Sequence, residues 1–286
     1  MKTEKKRVGT KAEIRAIKNR ERRMLTAIFL AFILLILILS SYFTYNFLNQ
    51  PQNQTTNPAS SQLKAAIVDQ LSLTIPNQTF IETATNTLKQ AGYTVDYYPG
   101  EQVTVEFYKN LPTHGYSLII LRVHSALREG NSPPVSLFTS EPYSTNKYVY
   151  EQLTDQVGNV KFLPYQEGDP TYFSIHASFI EQSMKGRFEN TIIIMMGCNG
   201  LTYSDMAKAF IEKGAKVYLS WSASVSASHT DSSTARLLQH FLVEKLTLKE
   251  SVQETFKEVG FDPVYNSLLI YYPLEVGEQT IENIKR

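Results

Sequence analysis

Cysteine is almost absent: Cys198 is the single thiol in 286 residues. That excludes an intrachain disulfide framework and any cysteine-based zinc cluster. Histidine is sparse too, with five residues and no HExxH or close His–His spacing, so neither a metal site nor another cofactor is expected. GxGxxG, P-loop and GxSxG motifs are missing, which lowers nucleotide-binding and serine-hydrolase readings. No internal repeat is visible. Charge is lacking from Met24 to Leu63 and uneven elsewhere. Residues 1–23 carry ten Lys/Arg and three Glu, and the remainder is net acidic, so the formal +1 hides opposite ends. Hydrophobic residues make up 43% of the chain, enough for a core and against wholesale disorder.

Residues 24–47 are the longest apolar run, long enough for one helix to cross a bilayer. Tyr42, Phe43, Tyr45 and Phe47 fit an interfacial aromatic belt. The expected order is a basic cytoplasmic tail over 1–23, a transmembrane helix over 24–47, a polar stalk over 48–62 and an extracytoplasmic domain over 63–286. The basic tail reads as an orientation signal and anionic-lipid contact, with no nucleic-acid partner. The localisation that follows is the cell membrane, single-pass. Asn53-Gln54-Thr55 and Asn77-Gln78-Thr79 match the N-glycosylation triplet, a weak signal.

From Leu63 onward, strand and helix patterns alternate. Strands are expected over 64–73, 93–98, 116–123, 190–196, 215–221 and 266–272. Helices are expected over 78–91, 176–184, 204–213 (with Ser204 as cap), 231–246 and 248–259. Residues 103–111 fit either type. Residues 130–172 read as a long insertion with one hairpin. This alternation implies an α/β fold with a mainly parallel central sheet flanked by helices. The Tyr-rich insertion (Tyr143, Tyr148, Tyr150, Tyr165, Tyr172) fits a binding surface or a half-buried loop layer.

Ligands of open α/β sheets bind beyond the carboxyl ends of the strands. The most apolar runs, 118–123 and 190–196, end in His124 and Cys198. If these strands are neighbours, an imidazole faces a thiol across one crevice, the arrangement of an activated cysteine nucleophile. Gly197 and Gly200 would let the backbone turn sharply around Cys198, which would open toward a helix N-terminus. The alternative is that Cys198 is a small buried hydrophobe and His124 a core histidine. His114, His176, His229 and His240 form no such pattern.

At these residues the sequence resembles the caspase-like cysteine peptidases, the superfamily that includes legumain, separase and gingipain. Ile194-Met195-Met196-Gly197-Cys198-Asn199-Gly200 and Met206–Trp221 are most similar to the CHAT domains. The resemblance covers 64–272 as architecture and is specific at 117–126 and 190–246. It implies a caspase-like three-layer fold, His124 as general base and Cys198 as nucleophile. The N–H groups of Ser125 and Cys198 would form the oxyanion hole, and Asp231, Trp221 and Ser222 are candidates for the substrate pocket. Asp231 also fits a helix N-cap. The implied activity is a membrane-anchored cysteine endopeptidase acting on peptide or protein substrates. Two residues depart from the family pattern: Ser125 stands where Gly is usual and Gly197 where Ala is usual. Two alternatives stay open: an inactive caspase-like domain that binds peptides or partner proteins, and a flavodoxin-like receptor for a small ligand.

Overall fold

The computed structural model describes residues 20, 23–25, 33–36, 39–40, 63–130, 134–162 and 166–284. The chain divides into two units, Met1–Ala59 and Ser60–Arg286. In the first unit the described residues are helical, and Met24, Leu25, Leu34 and Leu39 are exposed. The expected transmembrane helix over 24–47 is not supported. Among the described residues, no helix is long and apolar enough to cross a membrane. The single-pass placement and the bilayer contact lose their basis with it. The remainder of that segment, the stalk over 48–62 and most of the tail over 1–23 lie outside the described residues, as does Asn53.

The second unit is α/β, built on two sheets. Its strands are β1 (Leu63–Asp69), β2 (Tyr93–Pro99), β3 (Leu118–Arg122), β4 (Ser125–Leu127), β5 (Val135–Pro142), β6 (Val157–Val160), β7 (Tyr172–Ile175), β8 (Thr191–Met195), β9 (Ala215–Trp221) and β10 (Leu269–Tyr272). Its helices are α1 (Gln78–Gln90), α2 (Val105–Asn110), α3 (Val149–Leu153), α4 (Ala177–Gln182), α5 (Asp205–Glu212), α6 (Ala227–Leu238), α7 (Leu248–Val259) and α8 (Ile281–Ile284).

The larger sheet is mixed, in the order β10-β9-β8-β3-β1-β2. Its strands run parallel except β10, which pairs antiparallel with β9. Every residue of β3 and β8 is buried. Alternate residues serve opposite cores. Ile119, Leu121, Ile193 and Met195 join the core containing Tyr108, Phe179 and Phe210 from α2, α4 and α5. Leu118, Ile120, Ile192 and Ile194 join the core containing Phe80 and Leu88 from α1 and Leu237 from α6. Burial on both faces explains the unbroken apolar runs.

The expectation of one sheet with a loop insertion is corrected by a second sheet. β4, β5, β7 and β6 form an antiparallel layer in that order. Its inner face, with Val135, Leu137, Val157, Phe173 and Ile175, closes onto the core shared by α2 and α4. Residues 105–110 are helical because Thr104 caps them, its hydroxyl accepting from Phe107 N–H at 3.1 Å.

Strand order reverses at β1: the chain leaves β1 outward to β2, then returns to β3 on its other side. The topological switch point therefore lies between β1 and β3, where Asp69 is in register with Arg122.

Candidate functional site

Arg122 ends β3 with its side chain fully buried. A buried guanidinium requires partners. Its NH1 donates to Asp69 Oδ1 at 2.7 Å, and its Nε and NH2 donate to Asp231 Oδ1 and Oδ2 at 2.8 and 2.9 Å. NH2 also donates to the Ile75 carbonyl at 2.8 Å. Burial pushes the Asp69 carboxyl up, while the hydrogen bond and charge of Arg122 pull it down.

Asp231 thus has both oxygens engaged, and Asn77 Nδ2 adds a third bond at 2.8 Å. It is not a free pocket carboxylate for a basic substrate side chain. Nor does it cap a helix, because it lies inside α6, which starts at Ala227. Asn77 caps α1 and is bound to Asp231, which argues against its triplet as a glycan acceptor. Trp221 is buried in the core at the end of β9, donating from Nε1 to Thr230 Oγ1 at 2.9 Å. Ser222 turns its hydroxyl to the Leu268 N–H at 3.0 Å. The Trp221 polar atom is thus committed inside the core, whereas the half-buried Ser222 hydroxyl accepts one bond and keeps its own O–H to donate. Ser204 makes no side-chain cap bond to α5.

His124 stands two residues beyond β3, on the short link into β4. The segment after β1 fixes it. Gln70 Oε1 accepts the His124 N–H at 2.9 Å, and Thr74 Oγ1 lies 3.0 Å from Nε2. Ile75, bound by Arg122, belongs to the same segment, so the buried ion cluster and the histidine share one support. Phe162 and Phe138 pack against the imidazole, with ring centroids 5.1 and 6.0 Å away. Burial, helped by the Arg122 charge, pulls its pKa down to about 4. The ring is therefore neutral near pH 7.

Cys198 is half-buried and lies three residues beyond β8, the strand beside and parallel to β3. The two loops share one edge of the sheet and are joined directly: Ser125 Oγ donates to the Cys198 carbonyl at 2.5 Å. The sulfur, however, pairs with Val225, accepting from its N–H at 3.4 Å and donating to its carbonyl at 3.6 Å. The structure thus brings the two loops together but gives the imidazole and the thiol different partners. The expected helix N-terminus is not at Cys198, since α5 begins seven residues later, at Asp205.

The turn does not use its glycines as expected. Positive φ falls on Asn199, at 59°, and on neither Gly197 nor Gly200. Asn tolerates that region better than most residues. Gly197 and Gly200 instead permit close approach. A Cβ at 197 would collide with Ser125 Oγ and the Val123 carbonyl, and one at 200 with Ser220 Oγ and Met195.

Ladder bonds at Phe138 N–His124 O and Arg128 N–Pro134 O place Ser125 opposite Leu137 at a non-hydrogen-bonded position. Its N–H points away from β5, off the edge of the sheet. The Cys198 N–H has no acceptor among the described residues. Among the described residues, neither expected oxyanion donor has an acceptor.

No family model and no curated protein matches the chain. The site stands on its geometry. Spacing alone did not pick out Gln70, Thr74 or Val225, because each contact spans 27 to 54 residues. Arg122 did carry a signal: a charge inside an otherwise apolar strand must find partners.

Proposed function

We propose that the Ser60–Arg286 unit is a cysteine endopeptidase of caspase-like type, with Cys198 as nucleophile and His124 as general base. The observation that carries this reading is that a neutral imidazole and a half-buried thiol lie on joined loops at one strand edge, beside two N–H groups with no acceptor among the described residues. Thr74 at Nε2 leaves Nδ1 as the nitrogen for the reaction. With Nε2–H donating to Thr74, Nδ1 takes the thiol proton and the sulfur adds to the peptide carbonyl carbon. The N–H groups of Ser125 and Cys198 receive the negative oxygen. His124 returns the proton to the departing amine, and water, deprotonated by His124, hydrolyses the thioester. The sulfur must leave Val225 for this, and apo geometry is often looser than the reacting complex.

The pairing of Cys198 with Val225 also favours a second reading, an inactive domain that binds peptides. Labelling separates the two. The full chain is treated with peptidyl acyloxymethyl ketones carrying Arg, Lys, Asp, Asn or Leu next to the warhead. Adduct formation at Cys198 that falls by at least about tenfold in His124→Ala is the expected result, in line with general-base contributions. A rate equal to that of an ordinary free thiol across the panel, in folded protein, leaves the binding domain. With Asp231 neutralised by Arg122, no preference for Arg or Lys is expected from that carboxylate.

A further inference from the structure

The outer face of the second sheet holds a cavity of ≈ 490 Å³. That volume lies within the usual range for small-molecule sites. Its floor is made of small residues from adjacent strands, among them Ser136 of β5, Gly158 of β6 and Ser174 of β7. Ser136 and Ser174 are 2% and 1% exposed, and neither hydroxyl has a partner among the described residues. Two orphan hydroxyls in one wall are costly unless something binds them.

His176 adds a third unfilled position. Its Nδ1–H donates to the Asp155 carbonyl at 3.0 Å, which leaves the lone pair on Nε2. Burial pulls this imidazole's pKa below its ordinary value, with the Arg128 charge also lowering it. Nε2 lies over Gly158, where a Cβ would come within 2.8 Å of it. The glycine therefore keeps the acceptor uncovered. At the rim, Arg128 NH1 and NH2 bind Asp155 Oδ2 and Oδ1 at 2.8 and 2.6 Å. That planar pair sets donors beside acceptors.

We propose that this cavity is a binding site for a small, neutral, polyhydroxylated ligand of the monosaccharide or cyclic-polyol class. The chemistry of the wall selects it. Hydroxyls both donate and accept, as Ser136, Ser174 and the Arg128–Asp155 pair require. A ligand hydroxyl supplies the donor that His176 Nε2 lacks. Anions are disfavoured because Asp155 already neutralises Arg128, Glu129 adds negative charge and His176 is uncharged. Apolar ligands would leave the buried hydroxyls unpaired. The site does not depend on the peptidase reading: no group in it belongs to the proposed dyad or its oxyanion donors.

The test is calorimetric titration of the full chain with D-glucose, D-galactose, N-acetyl-D-glucosamine and myo-inositol, in parallel with inorganic phosphate and methylammonium chloride. Saturable binding of at least one neutral probe is expected, weakened about tenfold or more in Ser174→Val, a loss of about 1.4 kcal/mol. Ser136→Val serves as the second variant if Ser174→Val does not fold. Tighter binding of phosphate or methylammonium would overturn the ligand class. Binding untouched by either variant would overturn the location, and no saturable binding of any neutral probe would overturn the site.

Discussion

Ser125 and Gly197 are the smallest units in which the site can be understood. The Ser125 hydroxyl binds the Cys198 carbonyl and fills the space that a side chain at 197 would take. Overpacking of this kind costs about 1–3 kcal/mol. Gly197→Ala is expected to lose that much stability, and Ser125→Gly combined with Gly197→Ala to regain part of it. Urea denaturation of both single variants and the double variant measures the coupling. His124 gives a pH prediction. Its folded pKa of about 4 lies below the unfolded value of about 6.5. Between those values the unfolded chain binds more protons. The stability from this group is therefore complete above pH ~6.5 and falls as the pH drops toward ~4. The same shift keeps the base neutral through mildly acidic pH. Cys198 labelling should then show no loss between about pH 7 and 5 from protonation of this group. An NMR titration giving a His124 pKa near the ordinary value would refute both statements.

Secondary-structure elements show which parts of the fold can be read from sequence. β3 and β8 are legible because burial on both faces demands continuous apolar runs. Helix α7 is legible from its period, and Thr247 and Glu250 close a capping box at its start. The second sheet is not. Val157, Phe173 and Ile175 do alternate with Gly158 and Ser174, but β4, β6 and β7 span only three or four residues each, too few for the period to stand out. The strand ends exposed His124 and Cys198 as candidates, whereas the segment that holds the histidine lies 50 or more residues upstream. The loop that faces Cys198 is likewise held from a distance. Asp262 Oδ2 accepts the Ser226 N–H at 2.8 Å, and Oδ1 accepts the N–H groups of Val264 and Tyr265 at 3.0 and 2.7 Å. Burial pushes this carboxyl up, but those N–H groups outweigh it and hold it below the usual range. Its stabilisation is present above the unfolded pKa of about 3.9 and is lost as the pH falls through the folded value. Asp262→Asn should remove that acid dependence and speed hydrogen exchange of amides 222–226.

Across the Ser60–Arg286 unit, one cation ties several elements together. Arg122 binds the end of β1 through Asp69, α6 through Asp231 and the segment before α1 through Ile75. Removing one partner from a buried charge cluster leaves the other unpaired and costs about 3–5 kcal/mol. Arg122→Met strands two carboxylates, Asp69 and Asp231, and should lose at least that much in denaturant unfolding. Asp231→Asn leaves Arg122 paired with Asp69 and should lose less. Equal losses would mean that Asp69 alone does not support the guanidinium. Because Ile75 and Thr74 are neighbours, the surviving fold of either variant should also hold His124 less firmly. A lower Cys198 labelling rate relative to the parent chain would report that.

The close approach at Gly197 decides which changes this turn can absorb. A methyl group there would meet two obstacles, the Ser125 hydroxyl and the Val123 carbonyl. The first is a side chain that a substitution can remove, but the second is backbone and stays whatever residue stands at 125. Position 197 is therefore closed to any side chain unless the strand end that carries Val123 shifts as well, so the thiol loop and the end of β3 can only move together.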